Sequence, residues 1–310
     1  IHSGINIMKN LLEIHKQYEE INSPYYLEKV KDYPLIRKIV DHNDNYIFVL
    51  KFLPYSKNKI MELEKCYEML SLCGDLNVLK PIKNISGKFI SFYDGNAFII
   101  TELLKECGLE LPSVKWWSRT LSRLHSIKIE KKPKEVVQLK HIEKIIFKGA
   151  EFMDSTLRYH VKDLYQKATK YKFSLIYNHF LHGDPLYSNV MKVDNDYVLI
   201  DFENNFIGAK EYDIQRHLCD YAVHNDNLMD IYQYFGDFIY YYEQFGLKIN
   251  KKLLENLYII DYCQTLSWLY IVTQDNSRDD FKRQKEELSL YKKALVSGKF
   301  KKTLRKIREL

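Results

Sequence analysis

The hydrophobic period of this chain changes near residue 104, and that change limits the folds open to it more than any other feature. Before it, apolar residues come in short β-branched or aromatic runs. Residues 35–40 and 46–53 flank Asp41-His42-Asn43-Asp44-Asn45, and residues 88–93 and 97–104 flank Asp94-Gly95-Asn96. Polar turn residues between strand-like runs signal hairpins. Between the two hairpins, Ile60, Leu63, Met69, Leu70 and Leu72 predict a helix over 59–73, with Gly74 as its stop. The first hundred residues thus read β-β-α-β-β, preceded by a short polar helix at 10–20. After residue 104 the pattern is helical. Val114, Trp117, Leu121 and Leu124 share one face, and further helices are predicted at 136–152, 155–171, 211–223, 228–245, 251–273 and 279–296. One hairpin interrupts them, with strands at 189–193 and 197–201 around Asp194-Asn195-Asp196. A chain of 310 residues exceeds one simple core and suits two lobes. The expected class is α+β. A small β-rich N-lobe covers 1–104, a hinge lies near 102–106, and a larger, mostly helical C-lobe covers 105–310. Cofactor sites commonly lie between such lobes.

The segment richest in chemistry is His182-Gly183-Asp184-Pro185-Leu186-Tyr187-Ser188-Asn189, followed twelve residues later by Asp201 in Ile200-Asp201-Phe202-Glu203. Asn189 opens the first strand of the predicted hairpin and Asp201 closes the second, so the hairpin would bring the two toward one point. Two oxygen ligands with room for phosphate oxygens and water suit Mg²⁺. Asp184 would stand nearby, able to accept a proton from an attacking hydroxyl. His182 has a competing reading as a metal ligand beside His179. With no Cys or further His in the segment to complete a transition-metal site, the favoured reading is structural, the His182 ring holding the catalytic loop in shape.

The pattern His-x-Asp-x-x-x-x-Asn, then a hydrophobic strand ending in Asp, resembles the catalytic-loop and metal-loop pair of the protein-kinase fold. In the form His182-Gly183-Asp184, Asn189, Ile200-Asp201-Phe202-Glu203 it is similar to the aminoglycoside phosphotransferase and choline kinase superfamily. Protein kinases carry Arg where Gly183 stands and Gly where Glu203 stands. The resemblance spans roughly residues 25–223. It includes Val49-Leu50-Lys51, Glu64 in the next helix, Leu121-x-x-Leu124-His125-Ser126, and Tyr212-Asp213-Ile214. It implies a bilobal protein-kinase-like fold and a small-molecule kinase using Mg²⁺ with ATP or GTP. Lys51 would grip the α- and β-phosphates, paired with Glu64, or with Glu62 or Glu68 on the same helix in its place. Asn189 and Asp201 would hold metal, Asp184 would be the base, and Asp213 would steady the catalytic loop. The nucleotide base would lie against Glu102, Leu103 and Leu104, with Met191 and Ile200 below the ring. Two features depart from the family pattern. No Gly-rich loop occurs in 25–39, and Pro185-Leu186-Tyr187 replaces the commoner Leu-His-Pro-Gly on the side that faces the acceptor. The competing readings are a protein kinase and a catalytically silent kinase-fold scaffold like some spore-coat proteins. Asp201 runs almost directly into the helix of Asp213, which leaves little room for a protein kinase's activation loop.

Charge and composition set the remaining expectations. Residues 291–310 hold eight basic residues and one acid, a net +7 against +6 for the whole chain, so the rest carries −1. With a body that is not basic, nucleic acid is not an expected partner, and the tail reads as a solvated Lys-rich helix end. Asp220, Asp226, Asp230 and Asp261 would suit a cationic, hydroxylated small-molecule acceptor such as an aminoglycoside, and the aromatic residues around them a quaternary amine such as choline. The five cysteines, Cys66, Cys73, Cys107, Cys219 and Cys263, are scattered and odd in number, which fits free thiols in a reducing cytoplasm. No apolar run approaches a membrane span, residues 1–7 do not read as a signal peptide, and Met8 is a candidate start. Trp116, Trp117 and Trp268 read as core residues.

Overall fold

The computed structural model describes residues 17–18, 26–30, 35–40, 43, 45–74, 76–104, 110–127, 129, 139–170, 179–278 and 280–310. They form an α+β chain with a small antiparallel sheet in the N-lobe and a helical C-lobe. The chain divides into two compact units: Ile1–Glu110 with Val190–Glu203, and Leu111–Asn189 with Asn204–Leu310.

The first unit is built on a five-stranded sheet in the order β1-β2-β3-β5-β4. Its strands are β1 (Tyr26–Lys29), β2 (Ile36–Val40), β3 (Tyr46–Leu53), β4 (Ser91–Tyr93) and β5 (Asn96–Glu102). The two predicted hairpins form. The extra strand β1 has a weak pattern because it is four residues long and exposes Glu28 and Lys29 at a sheet edge. On β3, Phe48 and Leu50 enter a core with Ile39, Phe98, Ile100 and Tyr18. Lys51 is out of phase with those two residues and points to the opposite face. Tyr18 belongs to the helix predicted at 10–20, most of which lies outside the described residues. Helix α1 (Lys57–Ser71) starts where the Ser56 side chain accepts the Lys59 N–H, and it buries Ile60, Leu63, Cys66, Tyr67 and Leu70 at helical spacing.

The interrupting hairpin also belongs to this unit, with strands β7 (Val190–Val193) and β8 (Asp196–Leu199). The sequence reading placed all of it in the C-lobe. The reason for the difference is backbone pairing: Leu199 accepts from Leu79 N–H and donates to Asn77, both at 2.9 Å, which ties β8 to the segment after α1. Asp194 turns the hairpin in the left-handed region, at φ 51°. Asn189 lies just before β7 in a short 3₁₀ turn, and Asp201 lies two residues beyond β8.

The second unit is helical. It contains α2 (Val114–His125), α3 (Leu139–Ala150), α4 (Ser155–Thr169), α5 (Lys210–His224), α6 (Leu228–Gln244), α7 (Lys251–Val272), α8 (Phe281–Val296) and α9 (Lys299–Glu309). A two-stranded ribbon, β6 (His179–Leu181) with β9 (Phe206–Gly208), leads into the segment 182–189. Helix α7 is the centre, packed against α3, α4, α5, α8 and α9. One close approach is at Gly149 on α3, where an added Cβ would sit 2.3 Å from the Ser267 carbonyl oxygen of α7. Ala normally favours a helix over Gly, yet here it forces the two backbones apart. Gly149→Ala should therefore destabilise the protein by about 1–3 kcal/mol, seen as a lower denaturation midpoint; an unchanged or raised midpoint would contradict the packing described.

Two expectations are corrected in this unit. The basic C-terminal segment is not merely a solvated end. Helix α9 buries Phe300, Thr303, Leu304 and Ile307 along one stripe, and Arg308 pairs with Glu255 on α7 at 2.7 Å. Its stripe is regular, but the surrounding lysines and arginines mask it in the sequence. Trp117 is fully buried, whereas Trp116 is half-buried and Trp268 is 39% exposed, so the three tryptophans do not all fill the core. Cys66, Cys73, Cys219 and Cys263 are free thiols, and Cys107 lies outside the described residues. Among the described residues no helix is long and apolar enough to cross a membrane.

Candidate active site

In the first unit, Lys51 sits mid-strand in β3, paired with Ile36 on one side and Ile99 on the other. Its Nζ contacts Glu203 Oε1 at 2.6 Å and Asp201 Oδ1 at 3.2 Å. Tyr55 donates its hydroxyl to Glu203 Oε2 at 3.1 Å. Burial works against the charge on Lys51, but the Glu203 and Asp201 carboxylates outweigh it and hold the ammonium above its usual range. Asp201 adopts φ 66°, a left-handed conformation that residues with a β-carbon seldom take. Such outliers concentrate at functional sites.

Glu64 is not found beside Lys51. Both its oxygens are engaged elsewhere: Oε1 accepts the Phe89 N–H at 2.9 Å and Oε2 the Ile90 N–H at 2.8 Å. The expected Lys51–Glu64 pair is therefore replaced by a Lys51–Glu203 pair. The helix buries the expected Ile60, Leu63 and Leu70 together with Cys66 and Tyr67, while Leu72 lies past its end and is exposed, and Glu64 caps the backbone ahead of β4. Of the expected base-binding residues, Glu102 ends β5 opposite Phe48, the Leu103 N–H bonds the Ile47 carbonyl at 3.0 Å, and Leu104 is half-buried. Met191 on β7 and Ile200 after β8 are half-buried. Hinge residues 105 and 106 lie outside the described residues.

In the second unit, the fully buried Asp213 of α5 anchors the loop that follows β6. Its Oδ2 accepts the His182 N–H at 2.7 Å and faces His125 Nε2 at 3.0 Å, and its Oδ1 accepts the Gly183 N–H at 2.9 Å. Gly183 has φ 87°, and a Cβ there would lie 2.0 Å from the Asn204 carbonyl oxygen, so glycine is required on both counts. The His182 ring is fully buried, and its Nδ1 accepts the Asp184 N–H at 3.2 Å.

Asp184 is held from two sides. Arg216 Nε donates to its Oδ1 at 3.0 Å. Asn189 Nδ2 donates to the Asp184 carbonyl at 2.8 Å and lies 3.4 Å from its Oδ2. Arg216 in turn contacts Asp261 at 3.3 Å and Thr265 Oγ1 at 2.9 Å. Burial disfavours the Arg216 charge, but Asp261 and Asp184 hold it firmly protonated. Arg216 was missed in the sequence reading, although it lies three residues after Asp213, on a neighbouring part of the same helix surface.

The residue types fit Mg²⁺. Asn189 uses its amide nitrogen on Asp184, which leaves an amide oxygen as acceptor, and Asp201 has one carboxylate oxygen on Lys51 and a side chain 38% exposed. Carboxylate and amide oxygens are each hard donors of the type that Mg²⁺ takes. Among the described residues no cluster of three or more His, Cys, Asp and Glu is placed to hold a metal ion.

The acids expected to receive a cationic acceptor are mostly engaged within the chain. Asp261 pairs with Arg216, Asp226 with Lys293 and Lys299, and Asp220 with His224 and the Tyr187 N–H. Asp230 is exposed. The aromatic residues nearby form a bonded cluster. Tyr187 donates to the Tyr234 hydroxyl, which lies 2.8 Å from His217 Nε2. Burial lowers the His217 pKa to about 4, so the ring is neutral near pH 7. Its Nδ1 faces the Pro185 carbonyl at 3.3 Å and must donate, so Nε2 accepts from Tyr234.

No family model and no curated protein matches the sequence. Solved structures resemble the chain along nearly its whole length. A putative aminoglycoside phosphotransferase from Ralstonia eutropha JMP134 has a TM-score of 0.68 at 16% identity, covering 97% of this chain and 98% of its own. Spectinomycin phosphotransferase in complex with ADP and spectinomycin has a TM-score of 0.67 at 15% identity, with the same coverage of 97% and 98%. Amicoumacin kinase in complex with AMP-PNP and Ca²⁺ has a TM-score of 0.65 at 15% identity, covering 94% and 93%. The chain thus has the fold of the aminoglycoside phosphotransferases and related small-molecule kinases.

Proposed function

We propose that this chain is a phosphotransferase that moves the γ-phosphate of ATP or GTP to a hydroxyl of a small molecule. The hold on Asp184 carries this reading. Its carboxylate is oriented by Arg216 and Asn189, in a loop anchored through His182 and Gly183 to Asp213. The transfer is direct: the acceptor oxygen bonds the γ-phosphorus as the bond to the nucleoside diphosphate breaks, and Asp184 takes the acceptor's proton. Lys51 binds the α- and β-phosphates. The base rests on Glu102, Leu103 and Leu104, with Met191 and Ile200 against its face. Asp201 and Asn189 would hold Mg²⁺, which supplies charge neutralisation on the phosphates. Positioning and charge complementarity do most of the catalytic work in such a reaction.

Eight residues separate Asp201 from α5, too few for a peptide-binding activation segment, which favours a small acceptor over a protein. The similar structures bound to ADP or to AMP-PNP and Ca²⁺ support a nucleotide and a divalent ion. Spectinomycin, aminoglycosides, ethanolamine and choline head the acceptor panel, and a phosphorylated aminoglycoside would make this an antibiotic-resistance activity. The test is the thermal shift with Mg·ATP and Mg·GTP, with and without the acceptors. We expect a metal-dependent rise in Tm that Asp201→Ala removes, and a further rise with the true acceptor. No shift with either nucleotide in a folded sample would favour a silent scaffold.

A further inference from the structure

The pairing of Lys51 points to a positioning residue that the resemblance did not supply. We propose that Glu203, backed by Tyr55, is the acid that orients Lys51 for the nucleotide phosphates, and that Glu64 has no part in this. The inference rests on the phosphotransferase reading above.

Three observations carry it, all within the first unit. Glu203 approaches Lys51 Nζ more closely than Asp201 does, at 2.6 Å against 3.2 Å. Glu203 is 8% exposed, and Tyr55 fixes its second oxygen. Glu64 has both oxygens on backbone N–H groups and none directed at a cation.

A chemical argument adds to these. Asp201 is the carboxylate expected to turn to the metal once nucleotide binds. A lysine paired with Asp201 alone would then lose its orienting acid. Glu203 supplies one that need not leave. The chain turns sharply at Asp201 and enters the 3₁₀ segment Phe202–Asn204, which brings the acid two residues onward back to the same ammonium.

Calorimetric titration with ATP, in Mg²⁺ and again in EDTA, tests the assignment on wild type, Lys51→Met, Glu203→Gln, Glu64→Gln and the double variant Lys51→Met/Glu203→Gln. Losing a charged hydrogen bond is worth roughly a tenfold weakening of affinity or more. We expect Lys51→Met and Glu203→Gln each to weaken ATP binding about that much in both buffers. The double variant should be no weaker than Lys51→Met alone, because the two residues act as one unit. Glu64→Gln should bind ATP within about twofold of wild type and show its effect on Tm instead.

Additive losses in the double variant would overturn the proposal. So would a Glu203→Gln defect confined to Mg²⁺ buffer, which marks a metal ligand, or a larger affinity loss in Glu64→Gln than in Glu203→Gln. If Glu203→Gln does not fold, Tyr55→Phe carries the test: a clear loss of ATP affinity supports the role and unchanged affinity refutes it. A wild type that binds no nucleotide would sink the phosphotransferase reading itself, an outcome distinct from a wild type that binds ATP while Glu203→Gln binds it equally well.

Discussion

Replacing Asp184 with Asn should lower kcat by about 10²–10⁴-fold while leaving nucleotide affinity close to that of wild type. Asn has the same size, so its oxygen can still accept from Arg216 Nε, and the loop should keep its course. What is lost is the capacity to take the acceptor's proton. The two proposed functions separate because Asp184 and Lys51, proposed to bind the phosphates, lie on different elements, the loop after β6 and the strand β3. The measurement pairs steady-state nucleoside diphosphate release, with an acceptor that wild type turns over, with a nucleotide titration on the same sample. A folded Asp184→Asn protein that fails to bind nucleotide would reassign the residue to nucleotide or metal binding. Undiminished turnover would remove it from the chemistry.

Much of the fold was legible because it is written in local periodicity. The hairpins of β2–β3 and β4–β5 are alternating runs around polar turns, and the helices of the second unit follow apolar stripes. The loop from His182 to Asn189 was legible for a related reason: its residues are bonded within a few positions of one another, as in the Asp184 N–H to His182 and the Asn189 amide to Asp184. The failures are pairings between distant segments. Whether Lys51 meets Glu64 or Glu203 depends on where a helix face and a 3₁₀ turn finally lie, separated from it by 13 and 152 positions, and spacing cannot decide between them. Arg216 is a similar case. It looks like an ordinary helix cation until the positions of α7 and the catalytic loop place Asp261 and Asp184 around it. Helix α9 was missed because its lysines and arginines dominate its composition, although its four buried positions follow the helical repeat.

Asp213→Ala should be strongly destabilising, and it separates two readings of that residue. As a first-turn acid on α5 it would interact with the helix dipole, and its loss would cost less than about 1 kcal/mol. The structure gives it a different position. It has no exposure, and it accepts two backbone N–H groups of the catalytic loop while facing the buried His125 ring. His125 is held in turn by the Tyr242 hydroxyl at 2.7 Å, and its carbonyl receives His179 Nδ1 at 2.8 Å. Alanine would take away the acceptor of the buried His182 N–H and of the half-buried Gly183 N–H. Each such orphan costs about 1–3 kcal/mol, so a total loss of roughly 3–5 kcal/mol is expected. Scanning calorimetry should show a fall in Tm of several degrees, well beyond that of an exposed acid such as Asp230→Ala. Activity should fall with it, and cooling to restore the folded fraction should not recover kcat in full, because Gly183 and Asp184 lose the anchor that sets the base in place. A Tm within about a degree of wild type would assign Asp213 the helix-dipole role and leave the loop to be held by His182, Asn189 and Arg216.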